Sequence, residues 1–174
     1  MRLPWLPKTD GVSMRTKLRA FQAARDGGDL KALEHDIELL RHADLDHSIK
    51  AGALLTFNGL IIAAGINPIV ASPGAPLSVD ALTDPLIALL TAFGVLLMSV
   101  AASFSVRAIL IGEDFNDRGL EDDPAAILQR LYAAYCAAID LQSRMLAIAG
   151  RFTYAGGAVT ALAFIWALGD KWFG

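Results

Sequence analysis

The chain has 174 residues, of which 55% are hydrophobic and 19% are charged, whereas about 25% of the residues in a typical soluble domain are charged. This composition excludes a mainly disordered chain, the single cysteine excludes a small disulfide-held domain, and the net charge of −3 gives no general attraction for nucleic acid. The apolar excess favours a membrane protein, so the placement of the apolar residues decides the fold class.

The N-terminal segment, residues 1–28, is basic and amphipathic. Ser13 can cap a helix that carries Met14, Leu18 and Phe21 at helical spacing, and the first 25 residues hold six basic side chains and one acid. This pattern predicts either an interfacial helix on anionic lipid or a solvated helix that packs weakly on its neighbours. The first ten residues lack the apolar core of a cleavable signal peptide, so we expect the first span to direct insertion.

A cytoplasmic helix over residues 29–50 is predicted to lead into the first span, residues 51–70. No proline lies between residue 29 and Lys50, and the apolar side chains of this part share one face: Leu30, Leu33, Ile37 and Leu40. A short external loop, residues 71–85, follows. The second span, residues 86–106, has 21 uncharged residues and would measure about 31 Å as a helix, which matches a hydrocarbon core of about 30 Å.

An acidic cytoplasmic loop, residues 107–123, and a seam helix, residues 124–151, are predicted next. The loop holds six acids and one arginine from residue 113 onwards, but it lacks the glutamate that an EF-hand requires at position twelve. Asp123-Pro124 is a typical helix start. The seam alternates spacings of three and four, as in a coiled coil: Leu128, Leu131, Tyr135, Ala138, Gln142, Met145 and Ala149.

The third span, residues 152–169, is 18 residues long and precedes an external tail, residues 170–174. Any one of the three apolar blocks could be a buried helix of a soluble core, but so short a chain lacks the interior to bury all three. Nine lysines and arginines lie up to Lys50, none between the first two spans, five between the last two and one after the third. Because basic loops stay cytoplasmic, we expect a cytoplasmic N-terminus and an external C-terminus.

These elements predict an all-α membrane protein, with three transmembrane helices and cytoplasmic helical extensions that form a bundle or stalk. No metal or catalytic motif stands out. His35 and His42 are seven residues apart rather than four, and Cys136 lies in the seam without a basic neighbour. A phosphate loop, a Ser-His-Asp set and paired catalytic carboxylates are missing from the sequence. We expect no enzyme activity, no catalytic residue, no metal and no cofactor.

Polar residues within the spans are the more informative candidates. Asn58 lies in the middle of the first span, and Ser99, Ser103 and Arg107 share one face of the second. The third span carries a stripe of three small residues, Thr153, Gly157 and Ala161. Gly156 and Thr160 are offset from this stripe. Such residues allow close helix approach and bonding between helices. They are compatible with internal packing of a three-helix monomer, with contact between copies, or with a polar pore lining.

The stretch around Asn58 resembles a known family. Residues 50–60 read Lys-Ala-Gly-Ala-Leu-Leu-Thr-Phe-Asn-Gly-Leu, which is similar to the start of the first span in the Pycsar transmembrane effector family. In that family a lysine precedes an Ala-Gly-rich run with an Asn-Gly pair, and the order of helices and spans is similar over residues 30–169. Ser48 stands where the family usually has the aspartate of Asp-x-Lys, although Asp46 can pair with Lys50 at i, i+4.

The resemblance implies a bacterial antiphage effector that damages the inner membrane when a cyclic pyrimidine nucleotide, made by a neighbouring cyclase, signals infection. We expect such an effector to form homo-oligomers in the lipid bilayer. We expect no separate nucleotide-binding domain in these 174 residues, so the site of the trigger is open. The alternative is a structural or accessory membrane subunit, such as a helical scaffold or small channel component, without its own activity.

Four charged residues flank the predicted inner interface of spans one and three: Asp46, Lys50, Arg144 and Arg151. One interpretation is a coupling layer, in which continuous helices carry a shift of the cytoplasmic part into the bilayer. The other is that these charges only anchor the helices at the lipid headgroups.

Overall fold

The computed structural model describes three stretches of the chain, residues 30–70, 84–112 and 124–173. They form three α-helices and no strand: α1 is Leu30–Val70, α2 is Pro85–Leu110 and α3 is Pro124–Phe173. The predicted all-α class is therefore confirmed. The basic N-terminal segment, nearly all of the external loop, the acidic loop from residue 113 and the last residue of the external tail lie outside the described residues.

All three helices contain a stretch that is long and apolar enough to cross a membrane: Lys31–Ile66, Pro85–Leu110 and Pro124–Asp170. Only 17%, 28% and 22% of their most apolar windows is buried inside the chain. Most of the apolar surface therefore faces outward, as expected for helices whose solvent is lipid. The choice of membrane and the direction of insertion remain predictions from the basic residues.

Both long helices are continuous, as the sequence predicts. α1 has 41 residues and α3 has 50, against about 20 needed to cross a bilayer. Gly150 does not interrupt α3, and its surroundings leave open space where a side chain would stand. Each helix therefore has more than enough length for one span and a further helical segment.

The ends of α2 follow from its sequence. Pro85 occupies the first helical position, and the Ala88 amide donates to the Asp84 carbonyl at 3.1 Å. The helix continues four residues past the predicted span boundary, to Leu110, so Arg107 lies in its last turn rather than in a loop. The reason is that uncharged residues follow Arg107, and a cation near a helix C-terminus is favourable.

By contacts, the chain divides into two compact units. The first unit contains the described part of residues 1–45 and 112–141. Large side chains fill its core: Ile37, Leu40, Tyr132, Tyr135, Cys136 and Ile139, with Leu33, Ala43, Leu128 and Leu131 packed against them. Leu33, Ile37 and Leu40 of the predicted α1 face meet the first three residues of the predicted seam in this core, and Cys136 is buried in it.

The second unit contains the described part of residues 46–111 and 142–174. Its buried seam recurs at spacings of three, four and seven residues on every helix, which is the pattern of knobs-into-holes packing. The α1 seam is Ala51, Asn58 and Gly65. The α2 seam is Ile87, Thr91, Gly94, Met98, Ala101, Ser105 and Ala108. The α3 seam is Gln142, Ala149, Thr153, Gly156, Thr160 and Ala163.

Contacts within the second unit fix the helix directions. The pair Asn58–Thr153 and the approach of Gly65 to Thr160 are both 95 residues apart, so α1 and α3 run parallel in one register. The α2 contacts run the other way, because Phe104 stacks on Phe152 while Gly94 meets Gly156 and Thr160. This is the up-down-up order expected of three successive spans.

Candidate functional site

A buried polar pair joins α1 and α3 inside the second unit. The Thr153 hydroxyl donates to Asn58 Oδ1 at 2.9 Å, and Asn58 is completely buried. Asn58 therefore forms a hydrogen bond across a helix interface within the chain. The seam positions one heptad either side of Asn58 are Ala51 and Gly65, whose small size lets the backbones approach closely enough for the two short side chains to meet.

Some polar atoms in this seam are left without a hydrogen bond. Asn58 Nδ2 and Thr160 Oγ1 are both buried, and neither has a partner in the part of the chain that the structure describes. An amide or hydroxyl shielded from water without a partner carries a desolvation cost of about 1–3 kcal/mol. The seam can therefore take up water, or exchange its partners, at a lower cost than an apolar core could.

A close helix crossing lies two turns further along α3. An added Cβ at Gly94 would overlap the Thr160 hydroxyl and would stand 3.2 Å from the Thr160 amide nitrogen. An added Cβ at Gly156 would stand 3.0 Å from the Gly94 carbonyl oxygen and 2.9 Å from Met98 Cγ. The backbones of α2 and α3 are therefore in direct contact, and only glycine fits at these two positions.

Gln142 links α3 to the end of α2. Its Nε2 donates to the carbonyl oxygen of Ile111 at 2.9 Å, just past the last turn of α2. The terminal carbonyls of a helix have no partner within the helix, so this bond satisfies one acceptor that would otherwise be left at the helix end. From the sequence, Gln142 was predicted only as one position of the coiled-coil-like pattern in residues 124–151.

The predicted serine face of α2 points away from this seam. Ser103 and Arg107 are exposed and Ser99 is half-buried. The two hydroxyls donate to carbonyl oxygens of their own helix, Ser99 to Val95 at 2.9 Å and Ser103 to Ser99 at 3.0 Å. These residues do share one face, as predicted, but that face is on the outside of a single chain, where it is available to lipid or to another copy.

The small-residue stripe of α3 also differs from the predicted one. Thr153 is buried, but Gly157 is half-buried and Ala161 is exposed, while Gly156, Thr160 and Ala163 are buried instead. Residues four apart drift about 40° around a helix at each step, whereas alternating steps of three and four stay on one side. The buried stripe follows the alternating pattern because it must face the same neighbours over several turns.

The seam contains buried polar residues that the sequence did not single out. Thr91 and Ser105 are buried, and their hydroxyls donate to carbonyls one turn earlier, those of Ile87 at 2.8 Å and Ala101 at 3.1 Å. Thr160 appeared only as a neighbour of the predicted stripe. The three-four spacing of small and polar residues along α2 was the signal that could have found them.

The predicted charged layer is present only in part. Lys50 and Asp46 form an ion pair on the exposed surface of α1, as their spacing predicts. Arg144 and Arg151 are exposed on α3, and within the described ranges no bond connects either of them to this pair. The described residues also contain no cluster of three or more histidine, cysteine or acidic side chains that could hold a metal ion.

Comparison with protein-family models, with curated proteins and with solved structures found no match for this chain. The candidate site is an uncharged seam of amide, hydroxyl and small side chains between three apolar helices. Such a seam can hold helices together through interhelical bonds, or line a hydrated path when they separate.

Proposed function

We propose that the protein is a bacterial inner-membrane effector of antiphage defence. On this proposal it forms homo-oligomers and impairs the membrane when a cyclic pyrimidine nucleotide, made by a neighbouring cyclase, signals infection. The observation that carries the proposal is the buried Asn58–Thr153 pair, together with the unbonded Asn58 Nδ2. Polar groups inside a membrane are costly, and where they occur they commonly mark a functional path.

The resemblance of residues 50–60 supports the same proposal, because Asn58 belongs to the Asn-Gly pair of that stretch. The residue on which the resemblance depends is thus one that the fold buries at a helix interface. A polar side chain at this position is explained only if the hydrogen bond between Asn58 and Thr153 has a role in the protein. A protein that only had to fill this position in lipid could use an apolar residue of similar size.

The membrane impairment that we propose depends on the interior of this seam being weakly closed. Its buried positions offer small side chains and hydroxyls, with few large groups to seal the interior. If the helices separate or re-pair with those of other copies, the amide and hydroxyls would face a shared interior and could hold water. α1 and α3 are continuous helices, so a displacement of either one outside the bilayer would reach the seam.

The second candidate function is a structural or accessory subunit without activity. The observation that favours it is that several span hydroxyls, those of Thr91, Ser99, Ser103 and Ser105, bond to their own helix. Hydroxyls satisfied in this way are ordinary in membrane helices and require no path. The two candidates differ in whether the protein makes a bilayer leaky.

Dye release from vesicles tests the proposal. The full-length protein would be reconstituted into phosphatidylethanolamine–phosphatidylglycerol vesicles filled with a self-quenched dye. We expect release on addition of cyclic CMP or cyclic UMP, and none with cyclic AMP or in protein-free vesicles. In cells, induced protein should depolarise the membrane when a pyrimidine cyclase is co-expressed. If the vesicles retain their dye and the cells retain their membrane potential, the result would favour the accessory subunit.

A further inference from the structure

A groove runs along the first unit between α1 and α3. It encloses about 450 Å³ and is lined by seven residues: Glu34, Ile37, Glu38, Arg41, His42, Leu128 and Leu131. Ile37 forms its apolar floor, the two leucines are half-buried, and both glutamates are exposed. Arg41 is turned towards α3, where its Nε donates to the Tyr135 hydroxyl at 3.3 Å. This α1–α3 groove therefore has an apolar base and a polar rim on which two glutamates lie beside Arg41 and His42.

We propose that the α1–α3 groove is the docking site of the chain's own N-terminal segment, residues 13–25. The segment has a matching character, because Met14, Leu18 and Phe21 form an apolar stripe at helical spacing. Four of its side chains are basic and none is acidic. An apolar stripe flanked by basic side chains complements an apolar floor flanked by glutamates.

The length of the connection supports this occupant. Gly27 and Gly28 precede α1, which begins at Leu30, and glycine allows the backbone conformations that a tight connection needs. In the docked state that we propose, a helical hairpin centred on these two glycines would bring Leu18 level with Ile37 and Lys17 level with Glu38. The distance from Met14 to Phe21 along a helix is about 10 Å, and the distance from Glu34 to His42 along α1 is about 12 Å. The segment thus fits the groove in length, register and charge.

Docking of this segment would compete with an anionic lipid surface for the same basic residues. In the docked state the segment completes the first unit as a third helix and keeps its charges from the membrane. This inference concerns only the first unit and does not depend on the proposed function.

Disulfide trapping tests the docking in the full-length protein. In a Cys136→Ala background, Lys17→Cys would be combined with Glu38→Cys, and the intramolecular disulfide would be quantified by mass spectrometry of unreduced peptides. The matched control combines Lys17→Cys with Leu39→Cys, because Leu39 is exposed on α1 but does not line the groove. We expect the Glu38→Cys pair to form several times faster than the control pair in neutral vesicles, and to remain faster than the control pair in anionic vesicles, where lipid competes for the segment.

Three results would overturn the proposal. Equal or undetectable trapping at both positions would mean that the segment does not dock, and a disulfide-linked dimer would mean that a second copy fills the groove. Trapping that disappears in anionic vesicles would assign the segment to the membrane surface.

A second measurement does not use introduced cysteines. Glu38→Lys should speed tryptic cleavage after Arg19 about twofold, as expected for loss of one exposed ion pair, and Lys17→Glu in the same chain should restore the wild-type rate. Unchanged cleavage in Glu38→Lys would contradict the docked register.

Discussion

Both units of the molecule contain parts of the long helices α1 and α3, and the second also contains α2, but their interiors are opposite in character. The core of the first unit consists of large side chains, such as Leu40, Tyr135 and Ile139. The seam of the second unit consists mainly of small and hydroxyl residues, and large side chains such as Leu60 and Ile165 are about two-thirds exposed. This difference is the one expected if the first unit lies in water, as the sequence predicts, and the second in lipid. Water drives large apolar groups inward, whereas in lipid they gain nothing by burial and helices pack through small residues.

The strongest way to test this comparison is to make the same substitution in both units. Leu40→Ala removes a completely buried side chain from the first core and should lower the free energy of unfolding by about 2–5 kcal/mol. Leu60→Ala in the second unit should change it little, because its side chain is 65% exposed and would face lipid. Chemical denaturation in bicelles would measure both. A large loss for Leu60→Ala would instead mean that another copy covers that face.

The next largest effect is expected at the crossing of α2 and α3. Gly94→Ala places a methyl group on the Thr160 hydroxyl and near its amide, so it should destabilise the second unit by about 1–3 kcal/mol. Gly59→Ala is the matched control, since an added Cβ there meets nothing within 4 Å. Alanine favours a helix more than glycine does, so the control should be neutral or slightly stabilising. Equal thermal stability of the two variants in detergent would disprove the close crossing.

A smaller effect is expected for the interhelical bond itself. Thr153→Val keeps the side-chain shape but removes the donor to Asn58 Oδ1, and should cost about 0.6–2 kcal/mol. Thr91→Val is the control, because Thr91 is equally buried in the seam but bonds only to the Ile87 carbonyl of its own helix. In an Asn58→Leu background, Thr153→Val should cause little further loss of stability, as a double-mutant cycle would show. Additive losses would mean that the two side chains do not interact.

The sequence predicted the helices and the first core better than it predicted the second seam. Leu33, Ile37 and Leu40 contrast with polar neighbours, so their periodicity identifies a buried face. In α2 nearly every residue is apolar, and hydropathy does not distinguish one face from another. The side of α2 that faces inward is decided by how closely the backbones of the three helices can approach one another, for example at Gly94 and Gly156. That depends on all three helices together, which is why Ser99 and Ser103 were candidates whereas Thr91 and Ser105 were missed.

The smallest effect on stability is expected at Lys50, one residue before the α1 seam begins at Ala51. Its ion pair with Asp46 is exposed, and exposed pairs contribute about 0–1 kcal/mol, so Lys50→Ala should unfold much as the wild type does. If Lys50 belongs to a coupling layer, the same variant should lose nucleotide-triggered dye release, while Lys50→Arg retains it. Measuring both variants at equal insertion separates the coupling interpretation from simple anchoring. Wild-type release from Lys50→Ala vesicles would leave Lys50 as a headgroup anchor, because an anchor can be replaced by neighbouring basic residues whereas a specific coupling contact cannot.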